Sequence, residues 1–550
     1  MKKNCLTLLS TLYLICSFQV TTAQSFQKSF GKVFDNSNTD QQELNDILNL
    51  NNESILVSGT FRNVQTFPEI AFYGTISNVS KTGMINWYKG YLPSNFSPFD
   101  SFFITSLVKD TSGNTYAYGT FLTVSQNSGY ILMKISSAGN VIYAKKVTDE
   151  FAALNSKIII FNDQIFSLMG NKIVKFDLDG NIIAAFQTSL IDFNDISINT
   201  TGEITLLGQY YSTDPSNSVT NGLTVIRLSQ DLSFIRGGIF YSSPDSLGSL
   251  FSYSIYSNEQ GTAFIGGESI YFSIDTLNTL NWAKRIPNFA TLPVSDSYGG
   301  INTIKKHTDG TLYFLTNGFF SESDNIYEPT VTNNIEDPFQ YYFALCKLDP
   351  ANGSIISSKE IKNGFFNTIN HFGVGEYIID SNEVYFAGSI RDYFGEYKLN
   401  YIHKTTLEGL NCGENNRSVS TEDVASEISY LPFTNNIFSN ISLMVNPITI
   451  TEVNIPINFE NQSCSPALGV EDNQINEIKI YPNPSSSFVS VDGIDNIQKI
   501  EIIDTLGRLI KTFSAQSNNQ YDVSFLNKGV YYFKVLDTNQ KVKTIKLIKN

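Results

Sequence analysis

Few side chains in this sequence are spaced for chemistry. The three histidines, His307, His371 and His403, have no partner at i+4, and no HExxH, GxSxG, phosphate-binding loop or GxGxxG between a strand and a helix occurs. A histidine relay or His-rich metal site lacks its members, so no catalytic residue, metal ligand or cofactor is assigned. Asp177-Leu178-Asp179-Gly180 and Leu348-Asp349-Pro350 have the acidity of calcium loops. The first places Gly180 fourth and Thr188 twelfth, where an EF-type loop needs Gly sixth and Glu twelfth, so both read as hairpin turns held by Asp side chains. Trp87, Tyr143 and Trp282 have the surface to stack on a sugar, but they recur in one register of a repeat, which favours packing between repeat units. Carboxylates are plentiful, and two that converged at a channel mouth would suffice for glycoside hydrolysis. Only the fold decides whether any do.

The elements available to position them are short strands in a faint repeat. One half-unit is a polar turn residue followed six positions later by Gly, with an apolar strand on each side of the turn. It occurs at Glu53/Gly59, Gly113/Gly119, Gln164/Gly170, Gly202/Gly208, Gly261/Gly267, Gly310/Thr316 and Asn382/Gly388. The other half-unit is an apolar strand ending near Lys-x-Asp, a turn, and a further strand, as in Tyr130 to Lys145 and Lys172 to Phe186. Each pair of half-units predicts four antiparallel strands, and seven pairs predict an all-β propeller over 24–410. The seventh unit lacks its last strand, and Ser25 to Lys32, placed beside Tyr401, would close the ring. The count rests on spacing, with rings of six or eight units as the alternatives.

The ends differ from the middle. Lys2 and Lys3, the apolar run Leu6 to Val20 and the small Ala23 predict a signal peptide, 1–23, cleaved between Ala23 and Gln24. No later stretch reaches the roughly 20 apolar residues of a membrane-spanning helix. From 470 onward strands recur at short spacing between turns, which predicts a small Ig-like β-sandwich. Four motifs follow in order there: Tyr481-Pro482-Asn483-Pro484, Asp504-Thr505-Leu506-Gly507-Arg508, Leu526-Asn527-Lys528-Gly529-Val530-Tyr531, and Lys543 to Lys549 with Lys546 between. In these motifs the segment resembles the type A C-terminal sorting domain of the type IX secretion system of Bacteroidetes. The resemblance implies export across both membranes, recognition of 470–550 by the secretion machinery, and removal of that domain as the cargo is released or anchored at the surface.

Charge supports the division. The chain of 550 residues carries −15, with 16 % charged and 13 % aromatic residues, which excludes a largely disordered chain or a coiled coil. Setting aside the ten basic and nine acidic residues of 465–550, and Lys2 and Lys3, leaves −18 on 24–464. A surface of that sign repels phosphate backbones, so nucleic acid is not an expected partner. Five cysteines become three in the exported chain. Cys346 lies in an apolar strand and reads as core, while Cys412 and Cys464 bracket an extension, 411–469, and form the natural pair in an oxidising compartment. Closing that loop would contribute about 4 kcal/mol by chain entropy. The expected function is recognition of a glycan, a peptide or an envelope protein through one face of the ring, with the polar insertions Pro287 to Gly300 and Ser321 to Gln340 as contact loops. The alternative is a secreted enzyme that degrades polysaccharide or peptide with carboxylates in the channel.

Overall fold

A computed structural model describes residues 26–30, 41–62, 72–97, 100–125, 127–149, 156–189, 191–211, 219, 221–242, 250, 252–267, 270–286, 300–321, 339–361, 370–392, 398–407, 414–416, 421–433, 437–455, 459–462, 479–492, 497–505, 508–514, 516, 519–537 and 542–550. Ala23, Gln24, Cys412, Cys464, Gly507 and most of the two polar insertions lie outside the described residues. The chain forms two compact units, Met1–Pro466 and Ala467–Asn550.

Strands of the first unit pair antiparallel in meanders of four, here called blades one to seven. Blade one is Gln41–Asn49, Ser54–Arg62, Phe72–Ser80 and Ile85–Pro93, and blade two is Ser101–Lys109, Thr115–Leu122, Ser128–Ile135 and Val141–Asp149. Blade three is Ile158–Phe161, Gln164–Met169, Lys172–Asp177 and Ile182–Gln187, and blade four is Ile191–Ile198, Ile204–Tyr211, Asn221–Leu228 and Phe234–Ser242. Blade five is Ser252–Ser257, Ala263–Gly267, Ile270–Ile274 and Leu280–Arg285, and blade six is Gly300–Lys306, Leu312–Ser321, Phe339–Leu348 and Ile355–Ile361. Blade seven is Asn370–Asp380, Glu383–Asp392 and Lys398–Thr406, with Phe26–Phe30 beside its third strand and Ser29 opposite Tyr401. First strands of successive blades touch in cyclic order, that of blade seven meeting that of blade one. The architecture is a β-propeller.

Both faces of each blade are covered, and so the strands read as near-continuous apolar runs. The buried side chains gather in seven clusters among the described residues, one in each cleft between neighbouring blades. The repeat glycine has a steric cause. A Cβ at Gly119 would stand 2.0 Å from the Phe103 carbonyl oxygen, and one at Gly208 would stand 2.5 Å from that of Asp192. In each case the first strand bulges directly opposite and pushes its backbone toward the second.

The expectation of four strands per blade needs correction. The extension after blade seven adds a fifth strand to the outside of every blade, and it visits them in reverse order. Glu414–Asn416 pairs with blade six, Glu422–Asp423 with five, Ile428–Pro432 with four and Ser439–Asn440 with three. Val445–Pro447 then pairs with blade two, Ile450–Asn454 with one, and Phe459–Gln462 with Phe26–Phe30 in blade seven. Its apolar side chains plug the outer ends of the clefts: Val424, Ile428 and Tyr430 between blades four and five, Phe433 and Phe438 between three and four, Leu443 and Val445 between two and three. An open meander leaves an unpaired outer edge, and this belt covers part of each one.

The second unit is a sandwich. A sheet of Lys479–Tyr481, Phe488–Asp492 and Gln520–Asp522 faces one ordered Leu509–Ser514, Ile497–Asp504, Gly529–Asp537, Val542–Lys549. Val489, Ile500, Tyr521, Phe533 and Leu547 form its buried core.

Candidate functional site

Among the described residues, apart from single parallel bridges of Gln41 to Lys398 and of Ser101 to Phe72, the first strand of each blade has no sheet partner on its channel side, which leaves every second N–H there without a ladder bond. Six of these strands slip by one residue, at Leu44/Asp46, Ile104/Ser106, Phe193/Asp195, Ser252/Ser254, Ile301/Thr303 and Val374/Glu376. In four of them the side chain just after the slip reaches the next blade. Asp46 Oδ2 accepts from Leu107 N at 2.6 Å, Ser106 Oγ from Ile158 N at 3.3 Å, Asp195 Oδ2 from Ile255 N at 2.8 Å and Ser254 Oγ from Ile304 N at 3.0 Å.

Where the preceding blade sends no such bond, the position holds an acid that serves itself. The other carboxylate oxygen of Asp46 accepts from Ile47 N at 2.8 Å, that of Asp195 from Ile196 N at 2.8 Å, and Glu376 Oε1 accepts from Tyr377 N at 3.0 Å. Lys157 Nζ stands 2.5 Å from Asp195, and Lys305 Nζ 3.4 Å from Glu376. Burial alone would lower the Lys157 ammonium, and the carboxylates of Asp195, Glu376 and Asp46 outweigh it and raise it. Burial and then the Glu376 charge push the Asp46 carboxyl up to about 6. The carboxylates that converge near the centre are therefore engaged by main-chain donors and lysines.

Sequence reasoning passed over this group, although a signal exists. Asp46, Ser106, Lys157, Asp195, Ser254 and Thr303 each stand thirteen residues before the repeat position Gly59, Gly119, Gly170, Gly208, Gly267 or Thr316.

The residues singled out for chemistry are dispersed. His307 lies in a hairpin of blade six with Nε2 2.8 Å from the Ser381 carbonyl, and His403 is buried in blade seven with Nδ1 2.8 Å from Tyr401 Oη. Cys346 is buried in the cleft between blades five and six, where burial pushes its thiol up. Asp177 accepts from Asp179 N at 3.0 Å and Asn181 N at 2.7 Å, and Asp349 from Ala351 N at 2.9 Å, as Asp-held turns require. Among the described residues no group of three His, Cys, Asp or Glu side chains is placed to hold a metal ion.

The aromatic register serves packing between blades. Trp87 lies on Gly139 of blade two and donates to the Ser137 carbonyl at 3.2 Å, and Tyr143 Oη donates to the Leu178 carbonyl of blade three at 2.7 Å. Trp282 lies on Gly353 of blade six and donates to the Pro350 carbonyl at 3.0 Å. Between blades four and five Arg227, fully buried, takes over. It donates to the Gly261 carbonyl at 2.8 Å, the Asp275 carbonyl at 2.7 Å and Asn278 Oδ1 at 2.8 Å, and pairs with Glu203 at 2.6 Å.

These turns define one face. The first and second strands of a blade, and in blades one to six the third and fourth, join by tight hairpins at that end, with hydrogen bonds such as Gly113 N to the Asp110 carbonyl and Gly180 N to that of Asp177. Connections between second and third strands, and from one blade to the next, leave from the other end and vary in length from 170–171 to 322–338.

In the second unit the first and third sequence motifs lie against the last strand. Asn483 acts as a piece of backbone: its Nδ2 donates to the Lys546 carbonyl at 2.7 Å and its Oδ1 accepts from Ile548 N at 2.8 Å. Ser485 N donates to the Ile548 carbonyl at 2.9 Å, so the Pro482 to Pro484 turn lies along the edge of Val542–Lys549. Asp504 accepts from Arg508 N at 2.9 Å and Arg508 Nε at 2.7 Å, Leu526 is buried, Tyr531 Oη donates to the Asn527 carbonyl at 3.1 Å, and Lys549 is nearly buried.

Residues 479–550 match a family described as a secretion system C-terminal sorting domain. This unit is a type IX sorting domain. The sorting domain indicates export to the cell surface or beyond it, and implies interaction with the type IX machinery. Among the described residues no helix is long and apolar enough to cross a membrane. No curated protein matches the sequence. Among solved structures, the Dos1 propeller is 11 % identical with a TM-score of 0.37 over 66 % of this chain and 78 % of its own. Extracellular domains 1–2 of Drosophila Semaphorin 1a are 9 % identical with a TM-score of 0.37 over 69 % and 87 %. The extracellular domain of a hybrid two component system from B. thetaiotaomicron is 10 % identical with a TM-score of 0.16 over 91 % and 86 %.

Proposed function

We propose that the propeller is an exported recognition module, displayed at the cell surface or released, that binds a glycan, a peptide or an envelope protein without transforming it. The observation that carries this reading is the inequality of the two faces. One is a set of near-identical hairpins, and the other is where connections of unequal length leave the strands, the usual place for recognition on a rigid scaffold. The hydrogen bonding of Asp46, Asp195 and Glu376 supports binding over hydrolysis, because these carboxylates already serve as acceptors for the main chain. A glycan and peptide array probed with residues 24–466, with each hit assayed for breakdown, tests the reading. Binding without turnover, lost when 287–299 and 322–338 are shortened, is expected. Turnover that depends on Asp46 or Glu376 would replace it with the reading of a secreted degradative enzyme.

We also propose that Cys412 and Cys464 are joined, which would buckle the belt just outside its first and last strands, Glu414–Asn416 and Phe459–Gln462. Thiol counting before and after reduction decides it: one free thiol in the native exported protein supports the pair, and three exclude it.

A further inference from the structure

The belt ends on the strand that begins the ring. Phe26–Phe30 lies between Lys398–Thr406 on one side and Phe459–Gln462 on the other, antiparallel to both. A five-residue strand at a chain terminus frays unless both edges are tied, and here the second tie is the last belt segment. That segment arrives only after the belt has paired with the other six blades, from six down to one. Apolar anchors hold the belt on the way, Ile428 and Tyr430 between blades four and five and Ile455 between blades seven and one.

We propose that residues 414–462 form a clasp that keeps the ring shut by fixing Phe26–Phe30 in blade seven, so that the ring opens there only after the end of the belt has let go. The amino-terminal strand is then a full member of the ring only once the chain has been made through residue 462. The belt's role is local at its fastening point, and its other segments serve to bring that point into place.

Two variants of the full chain from residue 24 test this. Glu460 pairs with Ser29, and Glu460→Pro removes an N–H and adds bulk in the last belt strand. Amide hydrogen exchange should quicken by about tenfold or more in Phe26–Phe30 and Lys398–Thr406, and stay unchanged in Gln164–Met169 of blade three. In the second variant a protease site inserted after Leu407 separates ring from belt. The cut halves should co-elute until mild denaturant parts them, exchange in the same two strands should then rise, and returning the C-terminal fragment should restore protection. Unchanged exchange in Phe26–Phe30 after Glu460→Pro, or after loss of the fragment, overturns the proposal. An equal rise in every blade also overturns it, because the belt would then be a general stabiliser and not a clasp.

Discussion

The cleft between blades four and five and the cleft between blades seven and one are joined by opposite means. At its hairpin end the first relies on one buried guanidinium, whose planar donors reach both hairpins of blade five at once, while Asp195, Ser197 and Thr205 bond Ile255 and Ser257 elsewhere in the cleft. The second spreads the guanidinium's role over several side chains. Lys404 Nζ pairs with Glu383 at 2.8 Å and donates to the Lys81 carbonyl at 3.1 Å, Lys81 pairs with Asp380, and Asn400 Nδ2 donates to Tyr88 Oη at 3.1 Å. It also sets the charges of Glu376 and Asp46 against each other. Blades four and five follow one another along the chain, whereas blades seven and one meet only when the chain comes round. The closing cleft thus shares the bonding of its hairpins among several replaceable contacts and carries one repulsion, whereas the internal cleft gathers that bonding on one side chain.

The contrast breaks most readily at Arg227. Arg227→Met would leave Glu203, Asn278 and two carbonyls without their donor, and should lower the urea-unfolding free energy by about 3–5 kcal/mol. A loss below about 1 kcal/mol would show that this cleft is as distributed as the other. Next in size is Gly353→Ala, with φ at +75° and an added Cβ 2.5 Å from Trp282, which should cost about 2–3 kcal/mol. Gly310→Ala is its control: φ is +90° but nothing lies within 4 Å, and about 1 kcal/mol of backbone strain is expected.

At the closing cleft the readout is pH. The Asp46 carboxyl titrates at about 6 in the folded chain against its usual 3.8. The folded state binds this proton more tightly, so the group's contribution is fully present below 3.8 and is lost as pH rises through 6. It should remove about 2 kcal/mol of stability between pH 4 and pH 7. Asp46→Asn should flatten that part of a melting-temperature profile, and an unchanged profile would mean that burial and Glu376 together do not raise this carboxyl. Lys81→Ala should have the smallest effect, under about 1 kcal/mol, because Lys404 and Asn400 still span the cleft.

The sequence carried the blades because their marks are steric. Gly119 cannot be larger while Phe103 bulges against it, and Trp282 needs a glycine at 353, so residue type and spacing recur together. The centre was less legible, since the position after the bulge requires only an acceptor and Ser106, Asp195 and Ser254 serve equally well. The belt was least legible. Segments as short as Glu422–Asp423 and Ser439–Asn440 are too brief for alternation to register, and they are strands only because a blade edge is there to receive them. The sorting domain was read from its motifs, yet the hydrogen bonds of Asn483 to the last strand show why an amide stands between two prolines.

Gln27 lies opposite Gln462, so the ring's first and last strands are already arranged as the two arms of a hairpin that lacks only its turn. A short linker there would make the backbone of the ring circular without moving a strand. The chain could then be reopened at any tight turn, for instance between Asp110 and Asn114, as a circular permutant with the same blades. In the natural order the start of Phe26–Phe30 and the end of Phe459–Gln462 stand side by side at one corner of blade seven, on the hairpin face.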